Sequence, residues 1–96
     1  MKIFISARAR EDLLQIFSYI AERNHFAARN VIEAIDGKFE QLSHFPFIGR
    51  ERRSLAEGLR SVVVRTHLIF YVVERERIII VRVIDGRMDV DEEFQR

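Results

Sequence analysis

The chain has 96 residues, enough for one small domain with one core. Sixteen Lys and Arg stand against fifteen Asp and Glu, and a formal net charge of +1 argues against a dedicated nucleic-acid binder, whose phosphate contacts demand a basic excess. A content of 48% hydrophobic and 32% charged residues excludes a disordered chain, and the absence of Cys excludes disulfides, a thiol nucleophile and Cys-based zinc sites.

In chain order, Ile3, Phe4 and Ile5 read as a short strand closed by Ser6, a residue suited to capping a helix. The opening segment has no sustained apolar stretch ahead of its charges, so it is not a signal peptide. No apolar run approaches the roughly 20 residues of a membrane span. A soluble cytoplasmic protein is expected. Ala9, Leu13, Ile16 and Ile20 then recur at helical spacing, predicting a first helix from about Ala7 to Arg23. Glu11 and Asp12 are expected in its first turn, where they suit the helix dipole. Asn24 and His25 mark its end.

Ala28, Val31, Ile35, Phe39 and Leu42 define a second helix that follows at once, and Gly37 within it costs about 1 kcal/mol against Ala. So short a link predicts an antiparallel helical hairpin. Pro46 ends this helix, and Phe45-Pro46-Phe47-Ile48-Gly49 reads as a turn with apolar anchors. Past the polar stretch from Arg50 to Gly58 the period changes. Leu59 to Arg65, Leu68 to Val73 and Arg77 to Ile84 are β-branched apolar runs, separated by Thr66-His67 and by Glu74-Arg75-Glu76. They predict a three-stranded antiparallel meander. Ile78-Ile79-Ile80-Val81 does not alternate, so the last strand is expected to be central and covered on both faces. Residues 85–96 form an acidic tail with five carboxylates and two Arg. The fold class is α+β: residues 1–96 as a single domain of a short N-terminal strand, an antiparallel two-helix hairpin and a three-stranded antiparallel meander.

Catalytic templates find little support. The four Gly are scattered, the three His lack metal-ligand spacing, and no Ser sits in a nucleophile elbow. Arginine placement says more. Arg50 to Arg65 holds five Arg against two Glu, either a solvated loop with edge-strand charges or an anion-binding or docking face. Arg82 interrupts an apolar run, and a charge there must be paired, with Glu11, Asp12 or Asp85, or must face a partner. His67 is expected to be an exposed turn residue and Tyr71 a half-buried sheet residue. Leu14, Phe17, Tyr19 and Phe26 lie beside the main helical stripes, where they suit a groove for a partner helix.

Taken in order, several segments carry a family resemblance. They are Ala9-Arg10-Glu11-Asp12-Leu13 with Tyr19-Ile20; Ala27-Ala28-Arg29; Phe45-Pro46-Phe47-Ile48-Gly49-Arg50; and Gly58-Leu59-Arg60-Ser61. His67-Leu68-Ile69-Phe70-Tyr71 follows, then Arg82-Val83-Ile84 leading to Arg87-Met88-Asp89-Val90. Nearly the whole chain thereby resembles the ParE-type toxins of the RelE/ParE toxin–antitoxin superfamily.

The resemblance implies a RelE/ParE-like fold and a plasmid-stabilisation-type toxin, without cofactor or metal, neutralised by a ParD-like antitoxin that wraps the hairpin and sheet. ParE-type members inhibit DNA gyrase by binding it, whereas RelE-type members cut messenger RNA on the ribosome, and the fold alone does not choose between them. RelE-type nucleases use an Arg entering the strand that ends in the shared Tyr and a Tyr in the C-terminal segment. The matching positions here are Leu68 and Phe94, which carry neither chemistry, although Arg87 falls where those enzymes keep a basic residue. The implied reading is a non-enzymatic gyrase inhibitor. The alternatives are a ribosome-dependent endonuclease or a non-toxic, antitoxin-binding member of the fold. Antitoxin contacts are expected at Leu14, Phe17, Tyr19, Phe26 and Arg60. Target contacts are expected at His67, Arg82, Arg87, Met88, Asp89 and Phe94.

Overall fold

A computed structural model describes residues 1–95; Arg96, the last residue of the acidic tail, lies outside the described residues. Eight elements follow in order: β1 (Lys2–Ile5), α1 (Ala7–Ala21), α2 (His25–His44), β2 (Arg50–Glu51), β3 (Arg60–Val64), β4 (His67–Glu74), β5 (Arg77–Asp85) and α3 (Val90–Gln95). The α+β class and the strand–hairpin–meander order match the expectation. The sheet is wider than the meander, with five strands in the order β1-β5-β4-β3-β2. β1 lies parallel to β5, from Lys2 opposite Arg77 to Ile5 opposite Ile80. β2 adds two exposed residues to the other edge, too few for any periodic signal.

Ser6 makes the corner between β1 and α1. Its hydroxyl accepts from the Ala9 N–H at 3.0 Å and donates to the Val81 carbonyl at 3.1 Å. Asn24 caps α2 by accepting from the Ala27 N–H at 3.1 Å, so the residue that marks the end of the first helix also starts the second. The main core lies between the helices and one face of the sheet, built on Ala9, Ile35, Phe39, Leu42, Ile69, Tyr71, Ile78 and Ile80. Gly37 sits on the exposed side of α2, and a Cβ there would meet no atom within 4 Å. Gly37→Ala is therefore expected to stabilise the chain by about 0.5–1 kcal/mol through backbone entropy, read as a shift in the urea midpoint at constant m-value.

β5 is an interior strand, one place from the edge. Ile78 and Ile80 are buried under the helices, while Ile79 and Val81 on the other face are only half-buried. The ladder with β4 slips at one point: Tyr71 faces Ile80 but Phe70 faces Arg82, leaving Val81 as the bulged residue. The bulge flips the alternation, so Val83 rather than Arg82 continues the helix-facing row. On the opposite face a second cluster joins Leu59, Phe70 and Ile84, with Val90 and Phe94 of α3 packed against it. The acidic tail thus ends in a docked helix, the Phe94 ring lying 5.2 Å from that of Phe70 at an interplanar angle of 57°.

Three local expectations are corrected. The first turn of α1 holds no acidic residue; Asp12 lies beyond it and is 6% exposed, with a role described below. His67 is buried as the first residue of β4, because the tight corner is made by Arg65 and Thr66, Arg65 taking a φ of 54°. Tyr71 is fully rather than half buried.

Candidate functional site: a groove between the first helix and the C-terminal segment

β1 stops opposite Ile80, so the edge of β5 beyond the bulge has no neighbouring strand. α1 covers it instead. The Val83 N–H donates to Asp12 Oδ2 at 3.0 Å. The same carboxylate holds Arg82 in two bonds, Nε to Oδ2 at 2.8 Å and Nη2 to Oδ1 at 3.0 Å. Arg82 Nη1 donates onward to the Glu93 carbonyl of α3 at 2.6 Å. Of the three carboxylates the sequence offers for Arg82, the fold selects Asp12. One buried pair thereby ties together the helical hairpin, the sheet and the C-terminal helix. Geometry of this quality lets a buried charge survive desolvation.

Beside this pair runs an open groove of about 930 Å³, walled by α1 on one side and by the start of β4, the end of β5 and the following turn on the other. It gathers Tyr19, His67, Arg82, Arg87 and Met88, five of the residues singled out in the sequence, although they come from α1, β4, β5 and the tail. Arg8 also lines it, with Nε 3.9 Å from Asp12 Oδ1; the i, i+4 spacing of those two residues is the signal that could have identified it. Asp85 and Arg87 form a second fork across the turn, with Arg87 Nη2 2.7 Å and Nε 3.1 Å from the Asp85 carboxylate. Asp89 caps α3, its Oδ1 accepting from the Glu92 N–H at 3.2 Å.

Other candidates lie outside the groove or at its margin. Leu14, Phe17 and Phe26 are exposed on the hairpin, Phe26 the most at 80%. Tyr19 sits where hairpin and groove meet, its ring 3.9 Å beneath the Arg23 guanidinium. Arg60 is outside the groove, bonded to the carbonyls of Phe47 and Gly49 at 3.2 and 2.8 Å. Phe94 faces the second core cluster and holds the groove wall in place from behind, while Arg82, only 6% exposed, is part of the wall itself.

The charges set distinct protonation behaviour. The fork with Arg87 holds the Asp85 carboxyl down to about 2. Burial pushes the His67 imidazole below its usual range and Arg87 adds to this, while Asp85 works against it. Its Nδ1 is buried without a partner. A depressed imidazole binds its proton more readily in the unfolded chain. His67 therefore contributes stability that is complete above its ordinary value near 6.5 and is lost as the pH falls through the lower folded value. Arg87→Ala is expected to raise the His67 titration midpoint, by removing the like charge and freeing Asp85, as followed by the imidazole NMR shift. An unmoved midpoint would mean that the fork does not reach the ring.

A family model described as the ParE toxin of the type II toxin–antitoxin system parDE matches residues 3–90. The chain belongs to the ParE toxin family. Among curated relatives, Toxin ParE3 of Caulobacter vibrioides is 34% identical over 80 residues, covering 82% of this chain and 80% of its own. A solved structure of a chromosomal ParDE toxin–antitoxin system from P. aeruginosa aligns with a TM-score of 0.75 at 19% identity, covering 88% of this chain and 95% of that one. That likeness supports the fold. A ParE-type toxin of a ParDE system implies a partner antitoxin of the ParD type. The matching family is described as one of toxins. Among the described residues, no helix of this ParE-family chain is long and apolar enough to cross a membrane.

Proposed function

We propose that this toxin inhibits DNA gyrase by binding it, and that its ParD-like antitoxin lies along the exposed apolar side of the helical hairpin. Leu14, Phe17, Tyr19 and Phe26 offer that antitoxin large exposed side chains, and Arg60 an outlying cation. The target-facing surface is the groove mouth, with His67, Arg87 and Met88 as contacts; Asp89, Phe94 and Arg82 hold the C-terminal segment that carries it.

The observation that favours binding over RNA cleavage is the fate of two positions. Leu68 and Phe94 stand where a RelE-type nuclease would keep Arg and Tyr, and both pack against the second apolar cluster. Neither side chain can transfer a proton or stabilise a phosphorane. Arg87 is engaged by Asp85.

The test is supercoiling by purified gyrase with the refolded protein, scoring cleaved DNA as well as lost supercoiling. Inhibition relieved by the antitoxin is expected. Arg87→Ala with Met88→Ser is expected to weaken inhibition by at least about tenfold while leaving antitoxin affinity unchanged, and Phe26→Ser with Leu14→Ser to do the reverse. No effect at micromolar folded protein, with messenger RNA cut on added ribosomes, would replace this reading by the nuclease one. Normal growth on expression without antitoxin would favour a non-toxic member of the fold.

A further inference from the structure

At the other end of α2 the chain makes the turn 45–49. The 20 residues of α2 separate it by about 30 Å from the His25 end of the hairpin, where Phe26 is exposed. Three large apolar side chains stand outward in this short span: Phe45 is 60%, Phe47 61% and Ile48 47% exposed. A mobile loop could expose such residues incidentally, but this turn is held firmly. The Gly49 N–H donates to the buried Tyr71 hydroxyl at 2.8 Å. Arg60 Nη1 donates to the carbonyls of Phe47 and Gly49, and its guanidinium lies 5.3 Å from the centre of the Phe47 ring. Two long-range contacts thus fix the backbone of the turn, and that of Arg60 also covers one side of the Phe47 ring. Rigid aromatic side chains next to Arg are the usual anchors of protein interfaces, because little conformational freedom is lost when they are covered.

The frame around the turn is basic. Arg50 is exposed and has no ion-pair partner among the described residues, while Glu51 is shared between Arg53 at 3.2 Å and Arg60 at 3.4 Å. We propose that turn 45–49, which meets the antitoxin surface proposed above only at Arg60, is a docking surface apart from the apolar side of the hairpin and the groove, and that it takes an acidic, apolar-containing segment of a partner polypeptide. Charge selects this occupant. A second copy meeting the turn face to face would oppose Arg50 to Arg50, whereas a carboxylate-bearing segment neutralises it while covering Phe45, Phe47 and Ile48. This inference does not depend on gyrase being the target.

The probe is a fluorescein-labelled peptide of alternating Glu and Leu, titrated by anisotropy against the full chain at about 50 and about 300 mM salt. Saturable binding is expected at the lower salt, weakened at the higher. Phe45→Ser with Phe47→Ser, or Arg50→Glu alone, is expected to weaken it by at least about tenfold, with the thermal midpoint unchanged because these side chains are exposed. Phe26→Ser is expected to leave it unaltered. Absence of saturable binding would overturn the proposal. So would binding lost on Phe26→Ser and retained in the turn variants, which would seat the peptide on the hairpin. Concentration-dependent dimerisation abolished by the turn variants would make a second copy the occupant and overturn it equally.

Discussion

Asp12→Ala is expected to cost about 3–5 kcal/mol, a large part of the 5–15 kcal/mol typical of a domain's stability. Both side chains of the Asp12–Arg82 pair are only 7% exposed, so the substitution leaves a guanidinium buried without its counter-charge. It also strips the Val83 N–H of its acceptor at an edge where no strand replaces it. Removing both charges at once, Asp12→Leu with Arg82→Met, is expected to recover most of the loss. Recovery stays incomplete, because the Val83 N–H and the Glu93 carbonyl each lose a partner. A double-mutant cycle in urea measures the coupling. A loss below about 1 kcal/mol for Asp12→Ala would mean that Arg82 reaches water from its present position.

Gly49→Ala is expected to cost about 3 kcal/mol, from overpacking joined to a damaged hydrogen bond. A Cβ at this position would stand 2.5 Å from the Tyr71 hydroxyl oxygen and 2.7 and 2.9 Å from Cε1 and Cζ of its ring. The ring is fully buried in the main core and has no room to retreat. Adding Tyr71→Phe should not rescue the variant, since the ring carbons still clash and the Gly49 N–H then has no acceptor. Equilibrium unfolding of the single and double variants checks this. Full rescue by Tyr71→Phe would show that the hydroxyl alone sets the constraint.

Both positions illustrate what was legible in the sequence. The motif Phe45-Pro46-Phe47-Ile48-Gly49 announced a turn, yet nothing local revealed that its glycine is required by a tyrosine 22 residues away. Arg82 announced a buried charge in need of a partner, and Asp12 was one of three candidates. The choice depended on where β1 ends and on the bulge at Val81, both matters of strand register. His67 was misread for the same reason. A two-residue turn at Thr66-His67 and one at Arg65-Thr66 look alike in sequence, and that one-residue shift decides whether His67 lies in the loop or the sheet.

By itself the sequence determined the class, the order of strand, hairpin and meander, the two helices of the hairpin and the family, because these rest on short-range periodicity, caps and ordered motifs spread along the chain. Tertiary structure alone decided the parallel pairing of β1 with β5, the edge strand β2, the docking of α3 and the assembly of the groove from four separate segments. These depend on contacts between residues as much as 75 positions apart, such as Ser6 with Val81. Local propensity carries no record of such contacts. They form only when the apolar faces have packed and the remaining buried polar groups must each find a partner.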